Sequence, residues 1–253
     1  MQVIFDRQFC RSDYADDNAA SPGRMEAAMS GLWASGWEIR SPMPATREEL
    51  LLTHEKTYLE AVARNPGRYA MASLAAGGAI LAARVARKGE PAFACIRPPG
   101  HHASCGDAWG YCTFNNLVVA LLVLREEKLI QSALVIDIDA HTGDGTRKLL
   151  SGWAQAEVFN PFAGNAAEYH DAVAARLTTA RPVDMVAVSA GFDNYRLDAG
   201  GKLDTHDFEL LGRSIAQAAH RLSAGRRFAV LEGGYYLPDL GANVLAFCRG
   251  LNG

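Results

Sequence analysis

Several features that would place a chain outside an ordinary globular fold are missing from this sequence. No two of its five cysteines (Cys10, Cys95, Cys105, Cys112, Cys248) stand in a Cys-x-x-Cys spacing, and their number is odd. That excludes a zinc ribbon or a disulfide framework and points to free thiols in a reducing compartment. The longest apolar run, Leu117–Leu124, is far short of the roughly 20 residues that span a bilayer, so it reads as a buried helix and no membrane partner is expected. The first residues, MQVIFDRQFC, lack a basic stretch followed by an apolar one, so no secretory signal is read and a cytoplasmic location is expected. No long run of one charge occurs: 25 Lys and Arg stand against 28 Asp and Glu, scattered, for a net charge of −3. A nucleic-acid footprint is therefore not expected. Repeats, low-complexity segments and linkers are also lacking, so residues 1–253 read as one domain.

What is present is an alternation of strand-length apolar runs with longer helical segments. Strands are expected at Val3–Phe5, Phe93–Ile96, Ala133–Ile138, Met185–Ser189 and Phe228–Leu231. Helices are expected at Arg24–Ala34, once or twice within Thr46–Ala63, at Ala72–Arg87, Asn116–Glu127, Thr205–Ser223 and Pro238–Cys248. Near-continuous apolar strands separated by helices imply an α/β fold with a parallel sheet covered on both faces. Ligands bind beyond the carboxyl ends of such strands. The residues able to do chemistry stand just after four of them.

The first group is Asp137-Ile138-Asp139-Ala140-His141. Alternate residues of an extended chain share a side, so a carboxylate and an imidazole two apart can reach one ion. Taken alone, these residues could equally cap a loop. The second is Ser189-Ala190-Gly191-Phe192-Asp193, where a glycine turn presents a carboxylate that could also be an N-cap. Together they offer Asp139, His141 and Asp193, three protein ligands with an open position, the arrangement of a catalytic rather than a structural zinc. A carboxylate-rich set also admits Fe(II), Mn or Co. The third group is the adjacent pair His101 and His102 in a Pro/Gly loop. Beside a metal-activated water they offer a general base, with Asp137 and Asp144 as carboxylates able to fix their tautomers. The fourth is Glu232-Gly233-Gly234-Tyr235-Tyr236, where Tyr235 could donate to an oxyanion or simply pack under a loop.

Five motifs in this order, RPPGHHA, GYCTFNN, DIDAHTGDGT, SAGFDNYRLD and LEGGYY, resemble the histone deacetylase family, and the similarity runs from about His54 to the end. That family includes bacterial acetylpolyamine amidohydrolases and acetoin-utilisation-type proteins. The resemblance implies a three-layer arginase/deacetylase fold whose central, mainly parallel sheet has eight strands. It implies a zinc-dependent deacetylase or amidohydrolase acting on a small-molecule or peptide N-acyl amide. By motif, Asp139, His141 and Asp193 match zinc ligands, and His101 and His102 match the tandem catalytic histidines. Asp137 and Asp144 match their partners, Tyr235 the oxyanion donor, and Gly110 and Tyr111 the pair lining an acyl-lysine tunnel. A potassium ion is implied near Asp137.

The chain departs from that pattern between His54 and RPPGHHA, where a substrate-gripping Asp is missing, and between Asp144 and Ser189, where a PGTG loop and its wall aromatic are missing. Asn160 stands near the family's potassium-ligating serine. Phe159 or Phe162 is a candidate replacement for the aromatic, Thr142 replaces a frequent histidine, and Arg24 matches an N-terminal arginine. A shallower, more open pocket is expected. Two other readings stay open: a non-catalytic acyl-ligand-binding member of this fold, and a two-manganese ureohydrolase, although the latter chemistry calls for more bridging ligands.

Overall fold

The computed structural model describes residues 1–253. Seven strands form one wholly parallel sheet: β1 Gln2–Ile4, β2 Glu38–Arg40, β3 Ala92–Ala94, β4 Ala133–Asp137, β5 Ala156–Phe159, β6 Met185–Ala190 and β7 Arg227–Leu231. Their order is β2-β1-β3-β7-β6-β4-β5, with every neighbouring pair parallel. The helices are α1 Arg24–Trp33, α2 Arg47–Leu51, α3 Lys56–Ala63, α4 Pro66–Arg87, α5 Asn116–Glu126, α6 Asp144–Leu150, α7 Ala166–Thr179, α8 Thr205–Ser223 and α9 Leu237–Asn252. The α/β layering expected from the alternation is therefore present.

The sheet has seven strands where the family resemblance implied eight. The stretch from the end of β5 at Phe159 to the start of β6 at Met185 holds only α7. One helix completes a parallel crossover, so β5 is left as the sheet's edge with no further strand beyond it.

The central strands β4, β6 and β7 are buried along their whole length, as their continuous apolar sequence requires. Helix ends follow local chemistry: Thr46 with Glu49 and Asp204 with Asp207 form capping boxes, and Asn65 caps α4 ahead of Pro66. Helix α4 is long and apolar enough to cross a membrane, with a mean hydropathy of 1.4 over its most apolar 18-residue window. Its Ala/Gly-rich surface instead lies inside the protein, with 78% of that window buried.

Helices α8 and α9 meet almost backbone to backbone. A Cβ on Gly250 would collide with the carbonyl of Glu209, and one on Gly212 with the carbonyl of Phe247. Overpacking of this kind typically costs about 1–3 kcal/mol. Gly250→Ala is expected to lower the urea midpoint by that equivalent with an unchanged m-value.

Candidate active site

Four adjacent strands, β3, β7, β6 and β4, deliver the four motif groups to one edge of the sheet. Each loop is locked by contacts that take no part in the chemistry. After β3, Arg97 is fully buried and donates to the backbone carbonyls of Arg11 (2.6 Å), Ser21 (2.9 Å) and Ala19 (3.3 Å), anchoring the N-terminal arm. Gly100 has room for no side chain, because a Cβ would lie 2.5 Å from the Phe114 carbonyl. Asn116 donates to the Pro98 carbonyl at 3.0 Å, while Asn115 donates to the Ala103 carbonyl at 3.0 Å and caps α5. His54, buried and pushed down to about 4 by that burial, bridges Ser104 O and Asn115 N.

Glu232 joins its own turn to the loop after β3 and to the end of β6. One carboxylate oxygen accepts from Gly100 N at 2.7 Å and His101 N at 3.2 Å, and the other from Ser189 Oγ at 3.1 Å. Arg24, also fully buried, donates to the backbone carbonyls of Glu232 (2.6 Å) and Gly234 (2.9 Å) and lies 5.0 Å from the Tyr235 ring centre. Asp198 Oδ2 accepts from the backbone N–H of Tyr235 (2.6 Å) and Tyr236 (2.8 Å). The Glu-Gly-Gly-Tyr turn is thereby gripped from both sides.

Asp139, His141 and Asp193 come together so that one ligand atom from each lies within 4.8 Å of the others. His141 Nδ1 is 3.0 Å from Asp139 Oδ1 and 2.9 Å from Asp193 Oδ2. That Asp193 oxygen is buried and receives no well-directed hydrogen bond. Gly191 and Gly233 leave the space that the two carboxylates fill, since a Cβ on either would overlap Asp139 or Asp193. Two anionic oxygens and an imidazole nitrogen converging on one point, one oxygen orphaned, fit a divalent cation. The other convergent cluster, His101 with Cys112 and Glu232, already spends its carboxylate on the loop contacts described above. The arrangement offers one cation position at this cavity, which does not suit a two-manganese ureohydrolase.

The expected dyads are formed. His101 Nδ1 lies 3.1 Å from Asp137 Oδ2 and His102 Nδ1 lies 2.8 Å from Asp144 Oδ1. Both histidines, Asp139, His141, Asp193, Tyr235, Gly110 and Tyr111 line a cavity of about 450 Å³. Tyr111 meets Tyr235 edge-on at 5.8 Å and accepts from Asn18 Nδ2 at 3.3 Å. The rim is wide, with Trp109 54% and Tyr111 37% exposed. Neither Phe159 nor Phe162 supplies the missing wall aromatic. Phe162 is 98% exposed in the short link into α7, and Phe159 ends the edge strand β5 packed against the core, so neither lines the cavity. Asn160 does approach Asp137, its Nδ2 lying 3.5 Å from that residue's carbonyl, and its Oδ1 is buried without a partner. Trp109, which stacks on His102, lies outside every motif; its only sequence signal is its place just before Gly110 and Tyr111.

A model of the histone deacetylase domain matches residues 18–166 and 163–251 in two overlapping segments. The chain belongs to the histone deacetylase family. A probable deacetylase of Methanothermobacter thermautotrophicus is 30% identical over 94% of this chain and 87% of its own length. A histone deacetylase-like amidohydrolase of Pseudomonas aeruginosa is 28% identical over 94% of this chain and 78% of its own. The human polyamine deacetylase HDAC10 is 29% identical over 88% of this chain but only 43% of its own length. In fold, the crystal structure of the HDA15 HD domain matches all of this chain and 91% of that one, with a TM-score of 0.83 at 24% identity.

The electrostatics of this histone deacetylase-family amidohydrolase are those of an anionic pit. Burial and the neighbouring Asp139 raise Asp193 to about 7. The Asp139 and Asp193 carboxylates beside its Nδ1 favour the protonated ring and, outweighing partial burial, raise His141 to about 10. Burial opposes charge on His101, yet Asp139 and Asp137 outweigh it and hold its pKa well above the ordinary histidine value. His102 goes the other way, lowered to about 4 by burial and by His101. A cation entering this pit must displace the His141 proton, so affinity should rise with pH up to about 10. Calorimetric titration with zinc at pH 7 in buffers of differing ionisation enthalpy is expected to show net proton release.

Proposed function

We propose that this family member hydrolyses an N-acyl amide, of a small amine or an acyl-lysine-like group, with zinc held by Asp139, His141 and Asp193. What carries the reading is the joint placement of that three-ligand cluster, two His–Asp dyads and Tyr235 around one cavity. Zinc bound there, or Fe(II) in its place, would polarise the acyl carbonyl and make a water acidic near neutral pH.

The remaining work falls to the protein's own groups. Gly110 and Tyr111 form one wall for the acyl-bearing segment, and the Gly110 carbonyl accepts from the substrate amide N–H. His102, kept neutral by burial and oriented through Nδ1 by Asp144, takes the proton of the attacking water. His101, held cationic by Asp139 and Asp137, stabilises the negative charge that develops beside it, and a protonated histidine of the pair returns a proton to the departing amine. Tyr235 donates its O–H to the oxyanion; burial pushes the hydroxyl far above its ordinary pKa, so it stays protonated as a donor. Products are a carboxylate and a free amine.

The wide rim and the lost wall aromatic favour small or flexible acyl amides over a tightly gripped peptide backbone. Several family relatives are named polyamine deacetylases, which accords with a small-molecule substrate. Asn160 Oδ1, buried without a partner beside Asp137, suits a potassium ion there. The five free thiols suit a cytoplasmic setting.

Removal of one oxyanion donor typically costs about 10²–10³-fold in rate. Tyr235→Phe, assayed on fluorogenic acetyl-lysine and N-acylamine substrates, is therefore expected to lose most turnover while still binding one zinc. Near-full activity would rule out its role. Asp193→Ala is expected to lose both activity and stoichiometric metal by elemental analysis; a full equivalent of zinc retained would remove Asp193 from the ligand set. A wild-type protein that binds a hydroxamate yet turns over none of these substrates would point instead to a binding module.

A further inference from the structure

Trp109 is a large aromatic side chain that the fold leaves 54% exposed at the rim. It nevertheless makes two well-defined contacts, both to one proton-transfer pair. Its ring stacks on His102, with centroids 3.6 Å apart and planes at 29°. Its Nε1 donates to both oxygens of Asp144, 3.2 Å from each. Those contacts converge because Asp144 Oδ1 is itself 2.8 Å from His102 Nδ1.

The backbone that brings the indole there runs through an unfavourable conformation. Gly110 and Tyr111 both lie in the left-handed region, with φ of 60° and 67°, and the second is a bulky non-glycine residue. A Cβ on Gly110 would overlap the His102 ring. Strain of this kind persists only where surrounding contacts enforce it, and it concentrates at functional sites.

The pair has a reason to need holding. The His102 side chain is 3% exposed, but that of Asp144 is 36% exposed and opens helix α6. Lys148, one turn on, stands 4.0 Å from Asp144 Oδ2, so water and an ammonium both compete for the carboxylate. An indole N–H shared between the two oxygens fixes the carboxylate plane, with Oδ1 turned toward His102 Nδ1 as well. The imidazole then has Trp109 on one side, His101 at 4.0 Å on another, and Asp144 on Nδ1. Only Nε2 remains free for substrate chemistry.

We propose that Trp109 is a positioning residue that clamps the Asp144–His102 pair from the solvent side. The inference rests on the reading of His102 as the proton acceptor. Because Trp109 is half exposed, its replacement should leave folding intact, which unchanged thermal melting and zinc content would verify.

Outer-shell groups of this kind typically affect activity by about 10–100-fold. Trp109→Leu, which removes both the stack and the N–H, is expected to lower kcat within that range with KM little changed. Trp109→Phe keeps the stack alone and should fall between Trp109→Leu and the native protein. In an Asp144→Asn background, Trp109→Phe should cost little further, because the oriented carboxylate is already gone. A raised KM with native kcat would overturn the proposal and leave Trp109 as a cavity wall. Full additivity with Asp144→Asn would overturn it too. A fully active His102→Ala would remove the reading of His102 itself, and this proposal with it. An inactive His102→Ala beside an unaffected Trp109→Leu would overturn the proposal alone.

Discussion

Four carboxylates, Asp137, Asp139, Asp193 and Glu232, are each no more than 5% exposed and crowd beneath one cavity floor. Burying that much like charge is costly unless each group is paired or hydrogen-bonded. The surrounding structure reads as the set of answers to that constraint. Glu232 is satisfied by two backbone N–H groups and a serine, Asp137 by His101, and Asp139 by His141 and the Gly233 N–H. What remains uncompensated lies between Asp139 and Asp193, where His141 keeps its proton to well above neutral pH.

The same hydrogen bonds hold the loops at their working positions. A parallel sheet brings strand ends together at its carboxyl edge but leaves the following loops free to wander. Here Glu232, Arg24, Arg97 and the two asparagines that open α5 tie those loops to one another through backbone atoms. Much of what makes the motifs recognisable is therefore scaffolding. In RPPGHHA the arginine holds the N-terminal arm and the glycine makes room, while Pro99 and the two histidines line the cavity.

This division explains what could be read in advance. Strands β4, β6 and β7 were legible because continuous burial demands continuous apolar sequence, and α8 because its caps and period agree. Strand β2 was not: its three residues Glu38–Arg40 are all exposed on an edge, so nothing in them encodes a buried face. Strand β5 is only half-buried and gives a similarly weak signal. The convergence of Asp139, His141 and Asp193 could be anticipated, since each lies within a few residues of a central strand end. The roles of Glu232 and Trp109 could not. Both depend on which loops become neighbours, and local sequence pattern carries no record of that. The strand count failed for a related reason, since the family's eight strands presuppose more chain than α7 leaves between β5 and β6.

The position of β7 in the sheet has a consequence for how the molecule is assembled. It is the last strand in chain order, yet it lies in the middle, between β3 and β6. Until it is made, the nascent chain can form at most two half-sheets, β2-β1-β3 and β6-β4-β5, with unpaired edges facing each other. Those edges are the kind that attract other chains. The strand that closes this gap also carries Glu232 and Tyr235, so loop anchoring and completion of the cavity wait on the same long-range pairing.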